Sequence, residues 1–290
     1  MLPQWLTINP ASTEKYSTIK SSIKQLGLHT VCVEAHCPNM SECWSGGTAT
    51  FMILGDLCSR GCTFCAVSKS AKGIAVDKEE PAKLAKIVKE WKLAYIVITS
   101  VCRDDLADQG SGHFARCVEE IKKENPDTLV EVLIPDFRDD IDCLTKISQS
   151  RPDVIGHNIE TVERLSPEIR DRRAGYRQSL RVLRKFKELN SMAYTKSAMM
   201  LGMGESEEEV VSAMKDLRAA GVDFLAVGQY LRPSQRHIEV KEYVRPEIFE
   251  RYKDIATSLG FRYVAAGPFV RSSYKAGEFF IKSMVKSQSR

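Results

Sequence analysis

The chain has 290 residues, 43% of them hydrophobic, with 42 basic and 38 acidic side chains and a net charge of +4. That length suits one α/β barrel with short additions, and the mixed charge argues against a nucleic-acid surface. No apolar run reaches the ~18 residues of a membrane helix, and residues 1–24 lack the apolar core of a secretory signal.

In chain order, Ser17 to Leu26 reads as a short helix, and the segment after it, with Pro38, Gly46 and Gly47, as a loop able to wrap a metal. Ala49 to Leu54 is an apolar strand. Helix 79–92 follows, with Leu84, Ile87, Val88 and Trp91 on one face. Strand 95–99, helix 112–123, strand 129–134 and helix 140–149 continue the alternation. Strand 153–156 then leads to a helical start at 161–165 and a stronger helix over 179–189. Strand 195–201 precedes helix 206–220, which has Ser206 as its cap and three glutamates in its first turn, where the helix dipole favours them. Strand 223–228 and helix 246–259, with Pro246 in its first turn, complete six strand–helix units. Such alternation with apolar strands predicts a parallel sheet covered by helices. Periodicity alone fits both a partial barrel and an open doubly wound sheet.

Six of the nine cysteines lie between Cys32 and Cys65, in two triplets. Cys32, Cys37 and Cys43 have the spacing C-x4-C-x5-C; Cys58, Cys62 and Cys65 have C-x3-C-x2-C. An odd count crowded this way favours metal ligation in a reducing compartment over disulfides. Each triplet can hold three irons of a four-iron cluster and leave one iron open to another ligand. A zinc knuckle would need a fourth ligand, which does not adjoin the second triplet. That triplet directly follows a strand, and in a β/α barrel the loops at strand C-termini form the active face. Cys102, Cys117 and Cys143 read as small buried hydrophobes.

The second triplet, in GDLCSRGCTFCAV, resembles the radical S-adenosylmethionine superfamily. The resemblance implies a partial (β/α)6 TIM-type barrel, a four-iron cluster on Cys58, Cys62 and Cys65, and S-adenosylmethionine as cosubstrate on the open iron. Phe64 is then a packing plate between two ligands. The first triplet narrows the match. CPNMSECW, GTATFMILGDLCSRGCTFCAV, TSVCRDDLADQG, HNIETV, TKSAMMLGMGE, GQYLRPS and GPFVRSSYKAGE together resemble the lipoyl synthase family, in its order and across residues 32 to 278. This implies a second, auxiliary four-iron cluster on Cys32, Cys37 and Cys43, with Ser273 of the RSSY segment as its last ligand and Ser272 as the alternative. It also implies a sulfurtransferase reaction, with two sulfurs from the auxiliary cluster inserted at C6 and C8 of an octanoyl chain on a carrier-domain lysine. By this reading residues 1–48 carry the auxiliary cysteines, 49–266 form the partial barrel and 267–290 form a tail with the serine ligand. In the family, position 102 is expected to be a residue other than cysteine and position 198 glycine; here they are Cys102 and Ala198.

Candidate cosubstrate binders are Asn158, Glu160, Arg173, Lys196 and Ser197, at strand ends or in the arginine-rich stretch 170–177; a structural salt bridge is the competing role for each. Arg103, Asp104 and Asp105 are candidate active-face groups. Met199, Met200, Leu201 and Met203 fit either a substrate channel or barrel core. The implied partners are octanoylated lipoyl carrier domains (glycine cleavage H protein, dehydrogenase-complex E2 subunits), a reduced donor such as ferredoxin or flavodoxin, and an iron–sulfur carrier for cluster repair. Neither nucleic acid nor membrane is implied. The location expected is cytoplasmic, or an organelle matrix if a transit peptide was trimmed. Rival readings are another radical sulfur inserter, an iron–sulfur electron carrier and a silent paralogue. The first lacks the N-terminal triplet, the second leaves the β/α body unexplained, and the third conflicts with a complete set of seven ligands.

Overall fold

The structure, a computed structural model, describes residues 3–7, 14–35, 37, 39–45 and 50–273. Pro38, Gly46, Gly47 and Tyr274 onward, which the sequence reading used, lie outside the described residues.

Two compact units make up the chain. The first comprises residues 9–60 and 67–154, the second residues 1–8, 61–66 and 155–290.

The first unit begins with α1 (Glu14–Leu26), the two-residue β1 (His29–Thr30), α2 (Val31–Glu34) and α3 (Met40–Ser45). The segment expected as cluster-wrapping loop therefore contains two short helices. Thr30 caps α2, its hydroxyl accepting the Val33 amide. Helices this short leave no periodic trace in a sequence. Next come β2 (Thr50–Ile53), β3 (Leu57–Cys58), β4 (Ser68–Lys69), α4 (Glu80–Glu90), β5 (Tyr95–Ser100), α5 (Ser111–Glu124), β6 (Leu129–Leu133) and α6 (Ile141–Gln149). β2, β5 and β6 are parallel neighbours, with Phe51 opposite Ile98 and Ile98 opposite Val132, and β1 runs antiparallel along β2. β3 and β4 form a small separate parallel pair. α4 packs on α5 and α5 on α6. Their buried stripes, including Leu84, Ile87, Phe114, Ile121, Leu144 and Ile147, cover the sheet residues Phe51, Ile98 and Val132, all essentially inaccessible.

β7 (Val154–Gly156) lies at the division between the units. The second unit then holds α7 (Ser166–Ile169), α8 (Tyr176–Leu189), β8 (Tyr194–Leu201), α9 (Glu207–Ala219), β9 (Phe224–Gln229), α10 (Pro246–Ser258) and β10 (Tyr263–Gly267). The helical start expected at 161–165 falls instead at Ser166, with Pro167 in the first turn. β10 was not foreseen; it pairs parallel with β9, which pairs parallel with β8. α9 has a reciprocal capping box, in which the Ser206 hydroxyl accepts the Glu209 amide and Glu209 accepts the Ser206 amide. Met199, Leu201, Met203, Leu217, Val227 and Phe249 belong to one apolar core, so three of the four residues named for a substrate channel are core; Met200 packs against it half-buried. The expected class, α/β with a parallel sheet and helices after its strands, is borne out.

Phe249 is fully buried in that core. Phe249→Ala should remove about 3–5 kcal/mol of stability, read as a lowered midpoint in urea unfolding with the slope unchanged.

Candidate functional site

β2 delivers the chain to the second cysteine triplet through a strained exit. Leu54 sits at φ 67 and Gly55 at φ 86. Left-handed backbone is uncommon for a leucine and marks a position that its surroundings must hold. Three contacts hold it. The Leu54 amide donates to Glu80 Oε2 at 3.1 Å, Arg103 Nη1 donates to the Leu54 carbonyl at 3.1 Å, and the leucine side chain occupies the space a Cβ on Gly110 would need. Arg103 is fixed in turn by a two-point bond to Asp105, with both distances 2.9 Å. Glu80 also meets His113 Nε2 at 2.6 Å, and Arg116 donates to His113 Nδ1. With its Nδ1 accepting, His113 must donate from Nε2, so Glu80, His113 and the neighbouring Cys117 form a buried structural tie.

The loop residues between the cysteines are pinned by charge. Arg60 is 5% exposed and bonds Asp136 through Nη1 and Nη2 at 2.5 and 2.7 Å, and Asp104 through Nε and Nη2 at 3.0 and 3.1 Å. Ser59 donates to Asp104 at 2.7 Å, and Arg138 adds a further bond at 2.8 Å. Burial works against the Asp104 carboxylate, but Arg60, Ser59 and Arg138 hold it well below the usual carboxylate range. Arg103, Asp104 and Asp105, expected on the active face, thus serve to fix the loop.

Cys58 lies in the first unit, paired through β3 with β4. Cys102 sits beside it, and the Cys102 carbonyl accepts the Ser59 amide at 2.9 Å. A hydrogen bond from the Cys102 thiol, with smaller help from the Arg60 amide and charge, holds Cys58 down to about 6, while Cys102 itself is pushed far up.

Cys62 and Cys65 lie in the second unit. The Asp171 amide donates to Cys62 Sγ at 3.3 Å, and Asp171 accepts the Gly61 amide at 2.7 Å. Arg173, named as a cosubstrate binder, holds this same Asp171 at 2.7 and 3.0 Å. His237 Nε2 donates to the Cys65 carbonyl at 3.1 Å, and Phe64 packs half-buried on the core. Glu160 has φ 67, accepts the Asn158 side-chain amide at 3.1 Å, and is bridged to β8 through Met199. Burial raises the Glu160 carboxyl, against the nearby Arg170 charge. Ser197 is fully buried, its hydroxyl accepting the Ile159 amide at 3.2 Å, and Lys196 is 8% exposed on the same strand.

The first triplet is carried by α2 and α3. The Cys37 amide donates to the Cys32 carbonyl at 3.0 Å, the Met40 amide to the Cys37 carbonyl at 3.3 Å, and the Cys43 amide to Asn39 at 2.9 Å. These turns link the three thiols into one short segment. Burial pushes the Cys32 thiol up to about 11, while the Thr50 amide and the Trp44 indole work the other way.

Ser273 ends the described chain. Its Oγ is buried and has no hydrogen-bond partner among the described residues. The strap leading to it, residues 268–273, lies on β9, where Val270 packs on Ala198 and Ala226. A Cβ on Gly228 would run into the Val270 carbonyl oxygen. Three thiols per segment and an orphaned buried hydroxyl are a donor set that suits iron–sulfur ligation.

Sequence reasoning missed Glu80, Asp136, Asp171 and His237. Asp136 and Asp171 lie far along the chain from the loop residues they hold, and nothing in their local sequence marks them.

A model of the Radical SAM superfamily matches residues 52–217. The chain is 54% identical to a mitochondrial lipoyl synthase of Vitis vinifera over 98% of this chain and 74% of the relative. It is 51% identical to an apicoplast lipoyl synthase of Plasmodium knowlesi (strain H) over 99% of this chain and 65% of the relative. Streptococcus suis SuiB bound to S-adenosylmethionine shares the fold at TM-score 0.59 and 12% identity, over 90% of this chain and 57% of that one. Methylornithine synthase (PylB) does so at 0.55 and 13%, over 76% and 72%.

Two outcomes follow from this geometry. In metal-free protein at pH 7.5, peptide mapping after brief alkylation should find Cys58 modified well before Cys32, and Cys102→Ala should erase much of that lead. Equal rates would contradict the assignment. Gly228→Ala should speed amide exchange in residues 268–273 while β8 and β9 keep their protection.

Proposed function

The chain belongs to the lipoyl synthase family of the radical SAM superfamily, and from that membership we propose that it is a lipoyl synthase. It is then a sulfurtransferase that inserts two sulfur atoms, at C6 and C8, into an octanoyl chain on a lysine of a lipoyl carrier domain. The observation that carries the reading is two separate thiol triplets within a chain related to lipoyl synthases over nearly its whole length.

An alkyl C–H bond offers an acid or base no handle, so the hard step belongs to a cofactor. When bound, two four-iron clusters and S-adenosylmethionine supply a 5′-deoxyadenosyl radical for hydrogen abstraction and sulfide for insertion, with methionine released. The protein's residues hold and shield these groups. Cys58, Cys62 and Cys65 ligate the radical cluster and leave one iron for the cosubstrate. Arg60, Asp171 and His237 keep that loop rigid by satisfying its backbone and charges. Glu160, positioned by Asn158, is suited to accept hydrogen bonds from ribose hydroxyls. Arg173, which also holds Asp171, and Lys196, buried on β8, are the candidate cations for the cosubstrate carboxylate.

Cys32, Cys37 and Cys43 ligate the auxiliary cluster, and Ser273 completes it. An alkoxide oxygen is a hard ligand on a soft site and leaves more easily than a thiolate. The orphaned Ser273 Oγ supports this choice over Ser272. Residues 1–48, 49–266 and 267–290 divide the labour as auxiliary segment, radical domain and ligand-bearing tail. Carrier domains of the glycine cleavage and dehydrogenase complexes, a ferredoxin or flavodoxin donor and a repair carrier remain the proposed partners. No helix among the described residues is long and apolar enough to cross a membrane. The grape and malarial relatives are named mitochondrial and apicoplast, which favours an organelle matrix over the cytoplasmic alternative.

The test is anaerobic turnover of an octanoyl-lysine peptide by reconstituted protein with S-adenosylmethionine and dithionite, followed by mass spectrometry. The peptide should gain two sulfurs. Cys58→Ala should abolish both sulfur gain and 5′-deoxyadenosine, whereas Cys32→Ala should abolish sulfur gain alone. Ser273→Ala should lower sulfur gain at least tenfold and Ser272→Ala much less. Formation of 5′-deoxyadenosine with no sulfur gained by the unsubstituted protein would overturn the substrate assignment.

A further inference from the structure

The segment after α7 runs beside the loop that carries Cys62 and Cys65, and both lie in the second unit. Thr63 donates to the Ile169 carbonyl twice, from its amide at 2.9 Å and from its hydroxyl at 3.1 Å. Two residues further on, Asp171 engages the loop at two adjacent positions. Its Oδ2 accepts the Gly61 amide at 2.7 Å, and its own amide donates to Cys62 Sγ at 3.3 Å. The carboxylate is fixed in turn by Arg173, whose amide and Nε donate to Oδ1 at 3.0 and 2.7 Å and whose Nη2 donates to Oδ2 at 3.0 Å.

Loop rigidity accounts for the carboxylate and for the Thr63 bonds. It does not account for the Asp171 amide, which spends its one donor on a sulfur. A protonated thiol is a weak acceptor. Coordinated to iron, the same sulfur is a thiolate with negative charge to share. A donor at that atom stabilises the further negative charge that reduction adds. Hydrogen bonds to ligand sulfurs are one of the levers that set an iron–sulfur potential.

We propose that Asp171 is a positioning residue of the radical cluster, whose backbone N–H donates to the Cys62 thiolate and raises the cluster's reduction potential, easing entry of the electron that starts the reaction. The inference rests on the radical-cluster assignment to Cys58, Cys62 and Cys65 above. The donor belongs to the main chain, so among natural residues only proline removes it. Arg170 has φ −93 and ψ 158, the extended conformation that a following proline requires. Asp171→Ala and Asp171→Pro both lose the carboxylate, and the Thr63 bonds to Ile169 remain to hold the segment in each. The comparison between them therefore isolates the N–H.

The test uses the full chain with Cys32, Cys37 and Cys43 all replaced by alanine, so that only the second triplet binds a cluster. Redox titration should place Asp171→Pro at more negative potential than Asp171→Ala by roughly tenfold in the one-electron equilibrium, about 59 mV. Equal potentials would overturn the effect on reduction. A second measurement keeps Asp171 and both triplets in place. Protein made by cell-free synthesis with 15N-aspartate and then reduced should show a magnetic coupling between the cluster spin and an aspartate nitrogen, and Asp171→Ala should remove it. Reduced clusters without that coupling would overturn the donation. Failure of a folded triple variant to bind a cluster would overturn the radical-site assignment and this inference with it.

Discussion

The cysteine loop after β2 depends on one buried cation. Arg60 stands between Cys58 and Cys62, and its guanidinium is shared by Asp104 and Asp136 with almost no solvent access. A buried charge is tolerated only when it is paired and its hydrogen-bonding groups are used. Here the fork geometry of arginine satisfies two carboxylates at once, which a lysine could not reproduce. Asp104 and Asp136 follow β5 and β6. The loop is therefore tied to the ends of two strands, and the sheet's rigidity is passed to a segment with little secondary structure of its own. Leu54 shows the same logic in the backbone, because its left-handed turn is held from both its amide and its carbonyl.

The loop of the second triplet spends arginines and carboxylates on its conformation, whereas the segment of the first triplet is shaped by backbone turns. The C-terminal strap follows a different rule. It is laid against β9 where a glycine permits close approach, and small residues, Ala198 and Ala226, receive Val270. Ala198, where the family resemblance implied glycine, fits here because the strap presents a valine and not backbone at that point.

Much of this was legible in the sequence. Six parallel strands declared themselves as apolar runs, and the long helices by their stripes and caps. β10 did not, because YVAAG is short, half-buried and rich in small residues. α2 and α3 are too short to show a period. The two thiol triplets were legible from spacing alone, and few uses of cysteine other than metal ligation produce such a pattern. The supporting residues were not. Asp136 lies 76 positions from Arg60 and Asp171 110 from Gly61, so only the folded chain brings them together. For Arg173 and Ser197, read as candidate cosubstrate binders, the fold adds partners that nothing in the local sequence marks: Arg173 holds the Asp171 carboxylate and the Ser197 hydroxyl accepts the Ile159 amide. Cys102 read as an inert buried thiol; its contact with Cys58 appears only in three dimensions.

The central claim is that the N-terminal triplet holds the sulfur that ends up in the product, while the second triplet generates the radical. It is tested most directly by assembling the clusters with heavy-isotope sulfide, removing every trace of free sulfide, and allowing a single turnover with unlabelled reagents. Both sulfurs of the product should carry the heavy isotope, with loss of the label from the protein in equal amount. A product bearing light sulfur, with the protein's label retained, would contradict the account.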